Sequence, residues 1–299
     1  MSPDNSPAFS SPSPAVGPNE QRLRQDLDLE VTHAQRIGGQ HGVDHFRLRV
    51  ADGRVAFAKV TSGAGQAGFP AEAAGLRWLR AASAVAVPEV LAVTESVLVV
   101  EWVPEGSPSV GAADRFGAEL ARLHAAGAAH FGAPWAGVIA GLPLPNDDAD
   151  TWPDWYAACR VLPYARIARD RGSLSAADVA LIESTAGHIT AVAGPPEPPS
   201  RIHGDCWSGN VLWSGGRGWL IDPAAHGGHR ETDLAMLTLF GAPQLDRILA
   251  AYQEVAPLAD GWPERVPLHH LHPLLVHVCL FGTSYRDSAL AAARAVLSG

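Results

Sequence analysis

The chain has 299 residues, 47% of them hydrophobic, which is enough apolar content for a large core without disulfide staples. At about 150 residues per domain, this length predicts two domains or one bilobal fold. The net charge of −9 comes without any basic tract, which argues against a nucleic-acid partner, and no apolar run approaches the roughly 18 residues of a membrane span. Residues 1–18 have neither the basic region nor the apolar stretch of a secretory signal. Cys159, Cys206 and Cys279 are an odd set without C-x-x-C spacing, so a reducing, cytoplasmic setting is expected.

In chain order, residues 1–18 are rich in Pro and Ser with almost no apolar pattern, and the composition predicts a disordered tail. A helix is expected over about 19–30. Residues 45–50 and 55–60 alternate with period two around an Asp52-Gly53 turn and predict a hairpin. Residues 70–80 have helical spacing behind Pro70, and 88–94 and 96–103 look like strands that end at Pro104. From about 110 the period becomes 3.6, predicting helices over 112–126, 152–169, 175–192, 231–239, 244–255, 267–281 and 284–297. Ser175 and Ser184 serve as cap signals. Two short strands, 211–213 and 219–221, flank a Gly-Gly-Arg-Gly turn. The expected architecture is α+β: a tail over 1–18, a small β-rich N-terminal lobe over 19–103 and a larger helical C-terminal lobe over 104–299.

The chemistry concentrates in His203-x-Asp205-x-x-x-x-Asn210, followed by Asp222 after the short hairpin. Phosphoryl transfer needs one carboxylate to orient an attacking hydroxyl, and an amide oxygen with a second carboxylate to hold Mg²⁺ against the phosphates. Asp205, Asn210 and Asp222 supply those groups in the order of a protein-kinase catalytic loop. Any one of them alone could be an ordinary turn or cap residue; the set carries the reading.

Of the 22 basic residues, Lys59 is the one lysine and the rest are Arg. Codon bias explains the preference for Arg, but it does not explain why one lysine remains. A compact ammonium differs from a planar guanidinium, so Lys59 marks a place where Arg would not serve. Kinase-like folds pair such a strand lysine with a Glu of the next helix, and Glu72 opens the helix after Lys59. Gly38, Gly39 and Gly42 stand where a phosphate-covering loop belongs, although G-G-x-x-G is not G-x-G-x-x-G. Glu101 and Val103 end the last strand before the linker, where backbone groups could meet an adenine edge.

Together these segments resemble the fructosamine-kinase (ketosamine-3-kinase) family, relatives of the aminoglycoside phosphotransferases. The resemblance spans about residues 33–290; its most specific pieces are residues 203–210 and 221–224, and the Trp207-Ser208-Gly209 interior and the Arg230-Glu-Thr-Asp-Leu-Ala stretch look specifically like the fructosamine branch. It implies a protein-kinase-like bilobal fold, ATP and Mg²⁺ as cofactors, and transfer to the sugar 3-hydroxyl of a free or protein-bound ketosamine. The unstable 3-phosphate would then eliminate and free the amine. Asp205 would act on the hydroxyl and Lys59 with Glu72 would clamp the phosphates. Asn210 and Asp222 would bind metal, and Asp233 would accept hydrogen bonds from the loop that begins at His203. Three stretches depart from the family pattern: Cys206 in place of Leu, His226-Gly-Gly-His229 in place of a more aromatic run, and 40–44 in the glycine loop.

Trp207 and Trp155 are candidate substrate contacts, with Asn146 and Arg160 behind them, and an Arg230–Glu231 ion pair is expected nearby. His269, His270, His272 and His277 scatter around one helix and do not make a metal site. The alternatives are an aminoglycoside-, choline- or sugar-type phosphotransferase and a non-catalytic nucleotide-binding module. The oligomeric state stays open.

Overall fold

The computed structural model describes residues 18–25, 27–40, 42–61 and 68–299. The tail expected over 1–18 lies outside the described residues except for Pro18, which opens α1 (Pro18–Gln25). An antiparallel five-stranded sheet follows: β1 (Val31–Gln40), β2 (Val43–Val50), β3 (Val55–Thr61), β4 (Val90–Val93) and β5 (Val97–Glu101), in the order β1-β2-β3-β5-β4. Period-two alternation decides its faces. Phe46, Leu48, Val50, Ala56, Ala58 and Val60 are buried together with Leu23 of α1 on one face. The intervening residues of β3, Phe57 and Lys59, therefore point to the opposite face, where α2 (Phe69–Ala81) packs. β5 is buried on both faces, with Val97 and Val99 on the α1 side and Leu98 and Val100 on the α2 side.

The rest is mainly helical: α3 (Val110–Ala125), α4 (Trp152–Tyr156), α5 (Leu162–Asp170), α6 (Ala176–Val192), α7 (Arg230–Leu239), α8 (Leu245–Val255), α9 (Trp262–Phe281) and α10 (Arg286–Ser298). A π-helical stretch at Ala157–Val161 joins α4 to α5, so the run expected over 152–169 is one helical path with a wide turn inside it. Three short antiparallel strand pairs punctuate the helices: β6 (Gly137–Ile139) with β7 (Leu142–Leu144), β8 (Ser200–Ile202) with β11 (His226–Gly228), and β9 (Val211–Ser214) with β10 (Arg217–Leu220). Ser175 caps α6 through the expected box with Asp178, whereas Ser184 lies inside that helix and caps nothing.

Two expectations need correction. α9 starts at Trp262 rather than 267: Pro263 occupies the first turn, and Pro267 and Pro273 are accommodated inside the helix. Arg230 and Glu231 do not pair, because consecutive helical residues point about 100° apart. Arg230 reaches Glu197 at 2.7 Å, and Glu231 accepts hydrogen bonds from Nε and Nη2 of Arg265, one on each carboxylate oxygen. Burial would raise the Glu231 pKa, but the Arg265 guanidinium pulls it down to about 2. The pair's contribution to stability is present above the unfolded value of 4.5 and is lost as pH falls toward 2. Arg265→Leu leaves a buried, unpaired carboxylate, and urea unfolding at pH 7 is expected to show a loss of about 3–5 kcal/mol.

Candidate active site

The loop between β8 and β9 carries the His203-x-Asp205-x-x-x-x-Asn210 segment, and α7 holds it in place. Asp233, fully buried in the first turn of α7, accepts hydrogen bonds from the backbone N–H of His203 (2.7 Å) and of Gly204 (2.9 Å). His124 Nε2 meets the same carboxylate at 3.1 Å. His203 is itself buried and kept neutral by that burial. Its Nε2 donates to the Ile221 carbonyl at 2.8 Å and its Nδ1 accepts the Asp205 N–H at 3.3 Å, a pattern that fixes the tautomer. Gly204 has φ +80°, and a Cβ there would collide with the Ala224 carbonyl oxygen, so only glycine fits. Asp233→Ala strands two backbone donors and His124 in a dry site. It is expected to cost about 2–4 kcal/mol in urea unfolding and to lower turnover in any protein that still folds.

Asp205 and Asn210 face each other across a single 3₁₀ turn, Ser208–Asn210. Asn210 Nδ2 donates to the Asp205 carboxylate and to its carbonyl, both at 2.9 Å. Burial pushes the Asp205 carboxyl from 3.8 up to about 7, and Asp222 and Asp233 add to the shift. Asp222 follows β10, whose last link to the loop is the Ile221 N–H bonded to the Asn210 carbonyl at 3.1 Å. Asp222 has φ +53°, a left-handed backbone uncommon for non-glycine residues, although Asp is among those that adopt it most readily.

Lys59 joins this group from across the cleft. Its Nζ lies 2.9 Å from Glu72 Oε1 and 2.7 Å from Asp222 Oδ1, with its side chain only 12% exposed. Burial opposes its charge, but the two carboxylates outweigh that and hold it protonated well above lysine's usual value. Burial raises Glu72 to about 7 against the pull of Lys59. α2 sits close enough to deliver Glu72 because Gly75, one turn later, rests on Pro223 and Ala225, where an added Cβ would be 3.1 Å from Ala225 Cβ.

A cavity of about 960 Å³ opens over these residues, lined at one end by Val43, His45, Lys59 and Glu72 and in the middle by Asp205, Asn210 and Asp222. Trp207 lines it too, and its indole folds over Gly209, where any Cβ would strike the ring. That contact gives the Trp-Ser-Gly interior a steric reason. Gly38 and Gly39 lie in β1, and the turn itself falls at Gly42, which has φ +79°. A Cβ on Gly39 would come within 2.6 Å of the Val43 carbonyl oxygen, so the tight hairpin needs glycine at that position. Glu101 and Val103 leave β5 outside the cavity lining, and the Glu101 N–H already bonds to the Glu89 carbonyl.

Trp155 does not reach the cleft. It is 1% exposed in the helical core, with the Arg160 guanidinium 4.2 Å above its ring. Arg160 is likewise buried and spends its donors on Asn146 Oδ1 and nearby carbonyls, so the two form a structural pair. Among the histidines, His229, Glu231 and His269 bring possible ligand atoms within 4.8 Å of one another, but both oxygens of Glu231 are occupied by Arg265, whose charge opposes a cation there.

Sequence reasoning missed His45 in the cleft, although the signal was present. Counting back from the Asp52-Gly53 turn places His45 opposite Lys59, which is the register observed. It also missed the contact between Lys59 and Asp222, which are far apart in the chain and meet only through the fold.

The fructosamine kinase family profile matches residues 19–298. The chain belongs to the fructosamine kinase family. A candidate fructosamine-3-kinase from Thermobifida fusca is 50% identical, with a TM-score of 0.90 over 95% of this chain and 100% of that one. The provisionally assigned ketoamine kinase YniA of Escherichia coli (strain K12) is 32% identical over 276 residues, 90% of this chain and 91% of YniA. The ADP-bound aminoglycoside phosphotransferase APH(2'')-Ib is only 14% identical, with a TM-score of 0.61 over 92% of this chain and 97% of that one, and shows a shared protein-kinase-like fold. The kinase is thus a phosphotransferase acting on a sugar hydroxyl of ketosamines. Among its described residues, no helix is long and apolar enough to cross a membrane.

Proposed function

We propose that this fructosamine kinase uses ATP and Mg²⁺ to phosphorylate the sugar 3-hydroxyl of ketosamines, and that the resulting phosphate ester eliminates to release the amine. The observation that carries the site assignment is the convergence of Lys59, Glu72 and Asp222 within 2.9 Å contacts beside the Asp205–Asn210 pair. In this reading Glu72 holds the Lys59 ammonium where the transferring phosphates lie, leaving it to neutralise their charge. Asp205 lies where an acceptor hydroxyl would enter, and its elevated pKa suits a group that must take a proton near neutral pH. Bound Mg²⁺ would offset charge developing on the phosphates, and the hard oxygen donors of Asn210 and Asp222 fit that ion. His203 and Asp233 fix the loop, so that Asp205 keeps its geometry through turnover. Three free, buried cysteines agree with a cytoplasmic setting.

The test is ADP release with fructosyl-lysine, ribulosyl-lysine, kanamycin and choline as acceptors. The expected result is turnover confined to the two ketosamines. Turnover on kanamycin or choline with none on either ketosamine would overturn the reading.

A further inference from the structure

Beyond Asp205 the cavity continues along a strip of rings that no transfer step uses. Trp207 meets Phe240 edge-on at 5.9 Å between centroids, Phe240 meets His277 at 5.4 Å, and His277 meets Phe281 at 5.6 Å and Tyr285 at 4.7 Å. All five line the cavity, and Met236 adds a soft apolar floor. Trp207, Phe240 and Phe281 are 38%, 43% and 48% exposed, three of the few large apolar side chains left open among the described residues. Exposed rings that touch one another at the rim of a cleft are a recognition surface in waiting. Among the described residues, the acidic ones lining the cavity are Glu72, Asp205 and Asp222, all at the phosphate-proximal part, and the ring strip carries none.

That chemistry selects an occupant. A ketosamine bound with its sugar hydroxyl at Asp205 must send its amine and the amine's substituent outward past Trp207. An apolar or aromatic substituent gains by covering the exposed rings. A substituent bearing several ammonium groups would find no carboxylate on the strip to meet it, and one bearing its own carboxylate would lose hydration with no Arg or Lys there to pair with, only the His277 and Tyr285 side chains. We infer that the Trp207–Phe240–His277–Phe281–Tyr285 strip is the subsite for the amine substituent, and that it selects ketosamines of apolar or aromatic amines over those of acidic or polycationic ones.

This inference rests on the ketosamine reading, and the experiment separates the two. Fructose adducts of benzylamine, hexylamine, methylamine, glutamate and spermidine are compared by kcat/KM with ATP held constant. The benzylamine and hexylamine adducts are expected to exceed the glutamate and spermidine adducts by about tenfold or more, the scale of a few buried methylenes. Phe281→Ala and Phe240→Ala, both at half-exposed positions that tolerate truncation, are each expected to shrink that ratio at least threefold while the melting curves stay near wild type. Equal kcat/KM across the adducts, or a ratio untouched by both substitutions, overturns the subsite and leaves the ketosamine kinase intact. A protein that phosphorylates none of the adducts overturns both.

Discussion

Asp205→Asn is expected to abolish transfer, bind nucleotide as before and melt at a higher temperature than the wild type above pH 7. The loss of activity follows from the proposed role of Asp205 in taking the acceptor's proton. Such a group contributes about 10²–10⁴-fold, and orientation of the hydroxyl adds to it. The gain in stability follows from linkage. The Asp205 carboxyl titrates near 7 in the fold and near 3.8 outside it, so the folded state binds more protons between those values. Stability therefore declines as pH rises from about 4 to 7, and above 7 the fold carries a desolvated charge. Asn keeps an oxygen for the Asn210 donor and removes that charge. A gain on the order of 1–2 kcal/mol at pH 8 corresponds to a few degrees in Tm. The same titration predicts that wild-type kcat/KM falls about tenfold per pH unit below about 7, since that ratio reports the free enzyme. Calorimetry at pH 5 and pH 8 checks the first claim. A mutant no more stable at pH 8 than the wild type would show that the carboxylate is not strained by burial.

Lys59→Arg is the second large effect. The ammonium sits between Glu72 and Asp222 at 2.9 and 2.7 Å, in a slot sized for a compact donor. A guanidinium keeps the charge, but it is wider and planar, so it displaces either the carboxylates or the phosphates. The expected outcome is a loss of about 10²-fold or more in turnover, the magnitude of a misplaced electrostatic stabiliser. A second readout does not depend on turnover. An acyl-phosphate analogue of ATP should acylate Lys59 alone, because the sequence has no other lysine, and excess ATP should protect it by mass action. Labelling that ATP leaves unchanged, together with a fully active Lys59→Arg protein, would remove the lysine from the phosphate site.

Much of this was legible before any coordinates, and the reasons are physical. Asp205, Asn210 and Asp222 lie within 18 residues of one another on a loop and hairpin whose geometry is local, so their spacing already determines that they meet. Lys59 and Glu72 stand on adjacent elements joined by a short connection, and the strand's alternation turns the lysine toward the helix that bears the glutamate. What failed was long-range or depended on burial. Glu231 found Arg265 and Arg230 found Glu197, partners on elements that only tertiary packing brings together. Trp155 and Trp207 are the same residue type, yet one is core and the other rim: Trp155 is packed in the helical core beneath the Arg160 guanidinium, which only the tertiary fold reveals. The β6–β7 hairpin escaped notice because three-residue strands containing Gly and Pro carry no periodicity to read. Pro267 looks like a helix start in the sequence, and only packing shows that α9 already runs through it. The aromatic strip was invisible for the same kind of reason: Trp207 and Phe240 come together with Phe281 only when α9 lies against α7.

The most direct measurement is mass spectrometry of a peptide carrying one fructosyl-lysine, followed over time with the kinase, ATP and Mg²⁺. The peptide is expected to gain one phosphate and then to return to the mass of the unmodified amine, with Asp205→Asn blocking the first step. A peptide that stays glycated and unphosphorylated while the same protein phosphorylates an aminoglycoside or choline would contradict the account.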